Sequence, residues 1–111
     1  MNFKCFEKVS DKYFIAVAEA AWAGYTFREI KGTPVKNKLG LDLFVHEWLG
    51  GFRVSEGITG ARVGEGETTR KAIANAAKRR RSAQLSGRNI ESDIIRCTKT
   101  FGLSLRYKHV R

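Results

Sequence analysis

Acidic side chains almost vanish from the last 42 residues of this chain, where only Glu91 and Asp93 stand against twelve lysines and arginines. Residues 1–69 hold nine residues of each sign and are neutral, so the whole formal charge of +10 belongs to residues 70–111. A neutral part joined to a strongly basic part points to one face built for a polyanion, with nucleic acid the foremost choice. An acidic protein partner and plain solubility are the other readings of the same charge.

Long apolar runs are lacking too. None approaches the roughly 20 residues that a membrane-spanning helix needs. The opening stretch MNFKCFEKVSDKYF is broken by charge too often to read as a signal peptide. A cytoplasmic protein with no membrane partner is the expectation. Cysteine occurs only at Cys5 and Cys97, with no CxxC pair and no histidine at ligand spacing, which argues against zinc. A disulfide is disfavoured in a reducing cytosol, so two buried or half-buried free thiols are expected.

Catalytic signatures are missing as well: there is no GxSxG, HExxH or P-loop. Gly64-Glu65-Gly66 has no third glycine at dinucleotide spacing, and its carboxylate would repel phosphate. His46 and His109 are tied to no nucleophile; His46 should face solvent or cap the apolar stretch around it, and His109 should lie in a fraying tail. Glu56, Glu65 and Glu67 suit weak surface pairs with arginines better than a divalent-metal site. The expectation is a non-enzymatic protein with no cofactor.

What remains is a chain with 42% hydrophobic residues, seven Phe, three Tyr and two Trp, enough for one domain with its own core. Residues 10–24 read as a helix, capped by Ser10 or Asp11, with Phe14, Ala18, Ala21, Trp22 and Tyr25 at 3-and-4 spacing and Gly24 as a stop. Residues 28–40, with the only proline, read as an exposed loop. Residues 41–49 fit a helix face slightly better than a strand. A strand is nevertheless the reading here, because the next segments need a sheet partner. Phe52 to Glu65 alternates about a Gly57-Ile58-Thr59-Gly60 turn and predicts a hairpin. Thr68 or Thr69 should cap a helix to about Gln84. Asn89 should cap a shorter one with Ile90, Ile94, Ile95 and Thr98 on one face, and residues 103–110 should end the chain in a strand.

On the 68–84 helix, Arg70, Lys71, Lys78 and Arg81 share a sector about 100° wide, opposite Ala72, Ile73, Ala76, Ala77 and Ala83. Arg80 falls inside the apolar sector. Burying an unpaired guanidinium is costly, so Arg80 either meets a buried acid or the helix leaves the core after about Ala77. The second is the expectation here, with Lys78-Arg79-Arg80-Arg81 presenting cation on every side. A solvated charge run near a helix C-terminus is the plain alternative. The candidate binding residues are Arg70, Lys71, Lys78, Arg79, Arg80, Arg81 and Arg88.

The stretch GEGETTRKAIANAA, residues 64–77, resembles the end of a double-stranded RNA-binding domain, whose pattern there is G-x-G-x-S-K-K-x-A-K-x-x-A-A. That likeness implies an α-β-β-β-α order and a second helix whose N-terminus straddles RNA phosphates, reading A-form shape. Arg70 matches one of the family's basic positions, while Thr69 and Ile73 stand where it carries lysines. The wider arrangement F-x-V-S-E-x-x-T-G with G-x-T-x-x-x-A-I-x-x-A is similar in style to small bacteriophage and prophage accessory proteins, inhibitors of host defence among them.

The expected fold is therefore α+β: an antiparallel sheet of three or four strands with the 10–24 and 68–84 helices on one face and a C-terminal extension. The expected function is nucleic-acid binding, RNA or DNA, through a basic helix face. The rival is an anti-CRISPR-like inhibitor docking on an acidic or nucleoprotein host complex, with Trp48 a possible apolar anchor.

Overall fold

A computed structural model describes residues 5–18 and 24–110. The chain is α+β, with antiparallel sheets and two helices. Its centre is a meander of four strands, β4 (Thr33–Val35), β5 (Leu43–Trp48), β6 (Gly51–Glu56) and β7 (Arg62–Gly66), in the order β4-β5-β6-β7. Strand β5 thus takes the extended form, and Pro34 sits in edge strand β4, where a missing N–H is tolerated. Two residues join β5 to β6, Leu49 at φ 48° and Gly50 at φ 81°, the mirror-image turn that suits a twisted hairpin.

Helix α1 (Thr69–Leu85) follows β7 and lies against the sheet. Leu43, Val45 and Val54 meet Ala72 and Ala76 there. The contact is unusually close: a Cβ on Gly64 would come within 2.6 Å of the Ala76 nitrogen, and one on Gly66 within 2.6 Å of the Ala72 nitrogen. The G-x-G and A-x-x-x-A patterns are two sides of one backbone-to-backbone seam. Thr68 caps the helix by accepting a 3.1 Å hydrogen bond from the Lys71 amide. Helix α2 (Ile90–Phe101) begins at Asn89, whose side chain accepts from the Ser92 amide at 3.1 Å. It buries Ile94 against Phe6 and Ile58, while Ile95 stays exposed.

The helix expected over 10–24 is not formed by the described residues of that span. Residues 13–18 make strand β2 (Tyr13–Ala18) instead, which pairs with β3 (Tyr25–Ile30), just past that span, antiparallel from Tyr13 opposite Ile30 to Ala18 opposite Tyr25. The α-β-β-β-α order is thereby corrected: strands, not a helix, precede the meander, and the second helix is α2. Trp22 and Ala21 lie outside the described residues. The hairpin covers the face of the meander that α1 leaves open. Tyr13 stacks on Phe44 at 4.3 Å, Arg28 reaches over the Trp48 ring, and the Ala16 amide donates to the Gly60 carbonyl at 3.0 Å. The loop expected over 28–40 likewise gives way, in part, to β3 and β4. Of the expected last strand, only β8 (Tyr107–His109) forms, and it pairs with β1 (Phe6–Lys8).

The hairpin turn at residues 57–60 is the surprise, because it is buried along its whole length. Buried backbone must find partners. The Gly57 amide donates to the Asp42 carbonyl at 2.7 Å, Ser104 Oγ donates to the Gly57 carbonyl at 2.6 Å, and the Ser104 amide to the Ile58 carbonyl at 2.8 Å. The Glu56 carboxyl accepts from the Ile58 amide, from the Thr59 amide at 3.0 Å and from Thr59 Oγ1 at 2.7 Å.

Candidate polyanion-binding face

The outward sector of α1 carries Arg70, Lys71, Lys78 and Arg81, all exposed. At 1.5 Å of rise per residue they span about 16 Å of the helix axis. Lys71 has Glu67 at 3.8 Å, one turn back, with both groups in water; such pairs are weak. Arg70, Lys78 and Arg81 have no acidic partner among the described residues. Arg70 and Lys71 occupy the first turn, where the positive end of the helix dipole disfavours cations. Folding alone gives no reason to put them there.

The other candidates are placed differently. Arg79 donates to the Val63 carbonyl at 3.3 Å, across the edge of the sheet. Arg88 pairs with Asp93 at 3.1 Å, and Arg96 binds the same carboxylate. Arg80 is half-buried in the apolar sector. It meets no acid among the described residues, and the helix does not leave the fold after Ala77, since half-buried Ala83 still faces inward. Beneath Arg80 and Ala83 lies a cleft of about 220 Å³ between α1, α2 and the sheet.

Glu56 borders this cleft and is only 4% exposed, so it makes no surface pair with an arginine. Burial pushes its carboxyl up to about 7, against the three donors that pull it down. Glu65 does pair at the surface, with Arg62 at 3.0 Å and Arg53 at 2.7 Å, and these partners hold it below the usual carboxylate range. His46 is buried rather than solvent-facing. It shares a 2.8 Å hydrogen bond with Ser55 Oγ, and burial lowers its pKa. Cys5 is exposed and Cys97 half-buried; both are free thiols, with Cys97 pushed up by burial.

Two groupings have no local sequence signal. Trp48 is flanked by Arg28 and Arg53, whose guanidinium carbons stand 5.1 Å and 4.6 Å from its ring centroid. Only the strand registers bring the three together. The other is a clasp around Arg106, which is 5% exposed. Its Nε donates to Asp42 at 2.7 Å, its Nη1 donates to the carbonyls of Ser10 at 3.0 Å and Lys12 at 3.3 Å, and its guanidinium lies 4.3 Å over the Tyr13 ring. Tyr107 adds a 2.6 Å hydrogen bond to Asp42. Burial opposes the Arg106 charge, but Asp42 outweighs it and holds the guanidinium above its ordinary pKa. Among the described residues no helix is long and apolar enough to cross a membrane. No protein-family model, curated protein or solved structure matches the chain.

Proposed function

We propose that this protein is a non-enzymatic nucleic-acid-binding accessory protein that grips phosphates along the outward face of α1. One observation carries the reading: a single sector of the helix holds four exposed cations, three of them without an acidic partner among the described residues. Two of the four occupy the helix end where the dipole disfavours positive charge, a cost that an incoming phosphate reverses. Phosphate contacts of this kind position a duplex without reading its sequence. Four to six such contacts imply a log–log salt slope of about −4 to −5.

The test reverses Lys71 and Lys78 to Glu together and measures affinity for a short duplex by fluorescence anisotropy. Affinity should fall by about 2 kcal/mol, whatever the duplex sequence, because attraction is replaced by repulsion. The same reversals at exposed Lys36 and Lys38 should change little. Equal losses from the two pairs would reduce the effect to overall charge and remove the localised site. The second reading is docking on an acidic or nucleoprotein host complex, in the manner of a phage-encoded inhibitor. It is favoured by Leu49, 89% exposed beside Trp48 at a turn tip. It calls for a shallow salt slope and a loss of binding with Leu49→Ser.

A further inference from the structure

The cleft between α1 and α2 combines an apolar wall with an arginine that has no ion pair or hydrogen bond among the described residues. Leu43 and Val63 of the sheet, Ala83 of α1, and Ile90 and Ile94 of α2 line it. Its volume of about 220 Å³ exceeds the roughly 150 Å³ of an apolar cavity that takes up benzene. Arg79, Arg80 and Arg88 line it as well. Arg80 is half-buried and has no ion pair or hydrogen bond among the described residues.

The neighbouring acids are committed elsewhere. Asp93 is held by Arg88 and Arg96, and Glu56 takes all three of its hydrogen bonds from its own turn. A half-buried guanidinium beside unfilled apolar space is complementary to a ligand with two parts, an anionic head and a hydrophobic body. A bare phosphate would leave the cleft unfilled, and an uncharged ring would leave Arg80 unsatisfied.

We infer that this cleft binds a small organic anion, a carboxylate or phosphate monoester carrying one ring-sized apolar group. The apolar group occupies the space under Ala83, and the head is taken by Arg80 with Arg79 beside it. The inference stands without the polyanion reading, which concerns the opposite side of α1.

Phenyl phosphate is the probe, titrated into isotope-labelled protein while the methyl signals of Ala83, Ile90 and Ile94 are followed. These should shift saturably, whereas inorganic phosphate should leave them in place. Phenol should bind at least about tenfold more weakly, having no charged head. Arg80→Gln should weaken phenyl phosphate by about tenfold or more. Ala83→Leu, which fills the space, should abolish binding at an unchanged melting temperature. Absence of a saturable shift, an equal response to inorganic phosphate, or unaltered affinity in Arg80→Gln would each overturn the site.

Discussion

The clasp around Arg106 and the outward face of α1 draw on the same basic part of the sequence and use it in opposite ways. Arg106 is almost wholly buried, with its charge met by Asp42 and its remaining donors by the carbonyls of Ser10 and Lys12. Arg88 and Arg96 are similarly engaged with Asp93, and Lys108 stands 3.5 Å from Glu7. Arg70, Lys78 and Arg81 have no such partner among the described residues. Net charge alone therefore does not say where the uncommitted cations lie. The location follows from subtracting the cations that the fold already uses.

The largest expected effect comes from breaking the clasp. Asp42→Ala leaves a buried guanidinium uncompensated and should cost about 3–5 kcal/mol of unfolding free energy in urea. Adding Arg106→Met to that variant should recover part of the loss, since the orphaned charge goes with it. No recovery would mean that the Asp42 carboxylate acts mainly through its hydrogen bond from Tyr107.

A buried carboxyl without a cation sharpens the same contrast. Glu56 has only neutral donors, and its folded pKa is raised from an ordinary value near 4.5 to about 7. The folded state therefore holds a proton that the unfolded chain releases between those values. The stability tied to that proton is complete below about 4.5 and is lost as pH rises to about 7, a change of about 3 kcal/mol. Denaturation midpoints between pH 4.5 and 7.5 should fall in the wild type, and this part of the slope should be missing from Glu56→Gln. Parallel slopes in the two proteins would assign the pH dependence to other groups.

The smallest effect belongs to the surface. Replacing Arg79, Arg80 and Arg81 together by Ala should change stability by less than about 1 kcal/mol, because none of them pairs with an acid among the described residues. A thermal melt measures this directly. A loss as large as that of Asp42→Ala would erase the distinction between the two groups of cations.

Much of the meander, both helices and their caps were legible in the sequence. Local rules suffice where one face is buried and the other wet, as on α1, or where a cap such as Asn89 marks a start. They fail over residues 13–18, where Phe14 is 8% exposed and Ile15 2%. With both faces covered, alternation disappears, and aromatic and aliphatic residues fall by coincidence at helical spacing. The exposed α1 residues follow from helix periodicity alone. The Arg106 clasp does not, since its partner Asp42 is 64 residues away. Glu56 reads as a surface acid from its charge alone, although strand alternation sets it on the inward face with Phe52 and Val54. Only the burial of the following turn changes its character.

The pairing of β1 with β8 sets Phe6 opposite His109, a contact between segments about 100 residues apart. The meander and α1 are contiguous in the chain and close short loops, whereas the strand pair and the clasp close very long ones. Short-range contacts form with the smaller entropic penalty and generally lead. The cationic helix should thus be seated on its glycine seam in the folding transition state, with the clasp arriving afterwards. In a chevron plot, Asp42→Ala should then raise the unfolding limb and leave the refolding limb nearly in place.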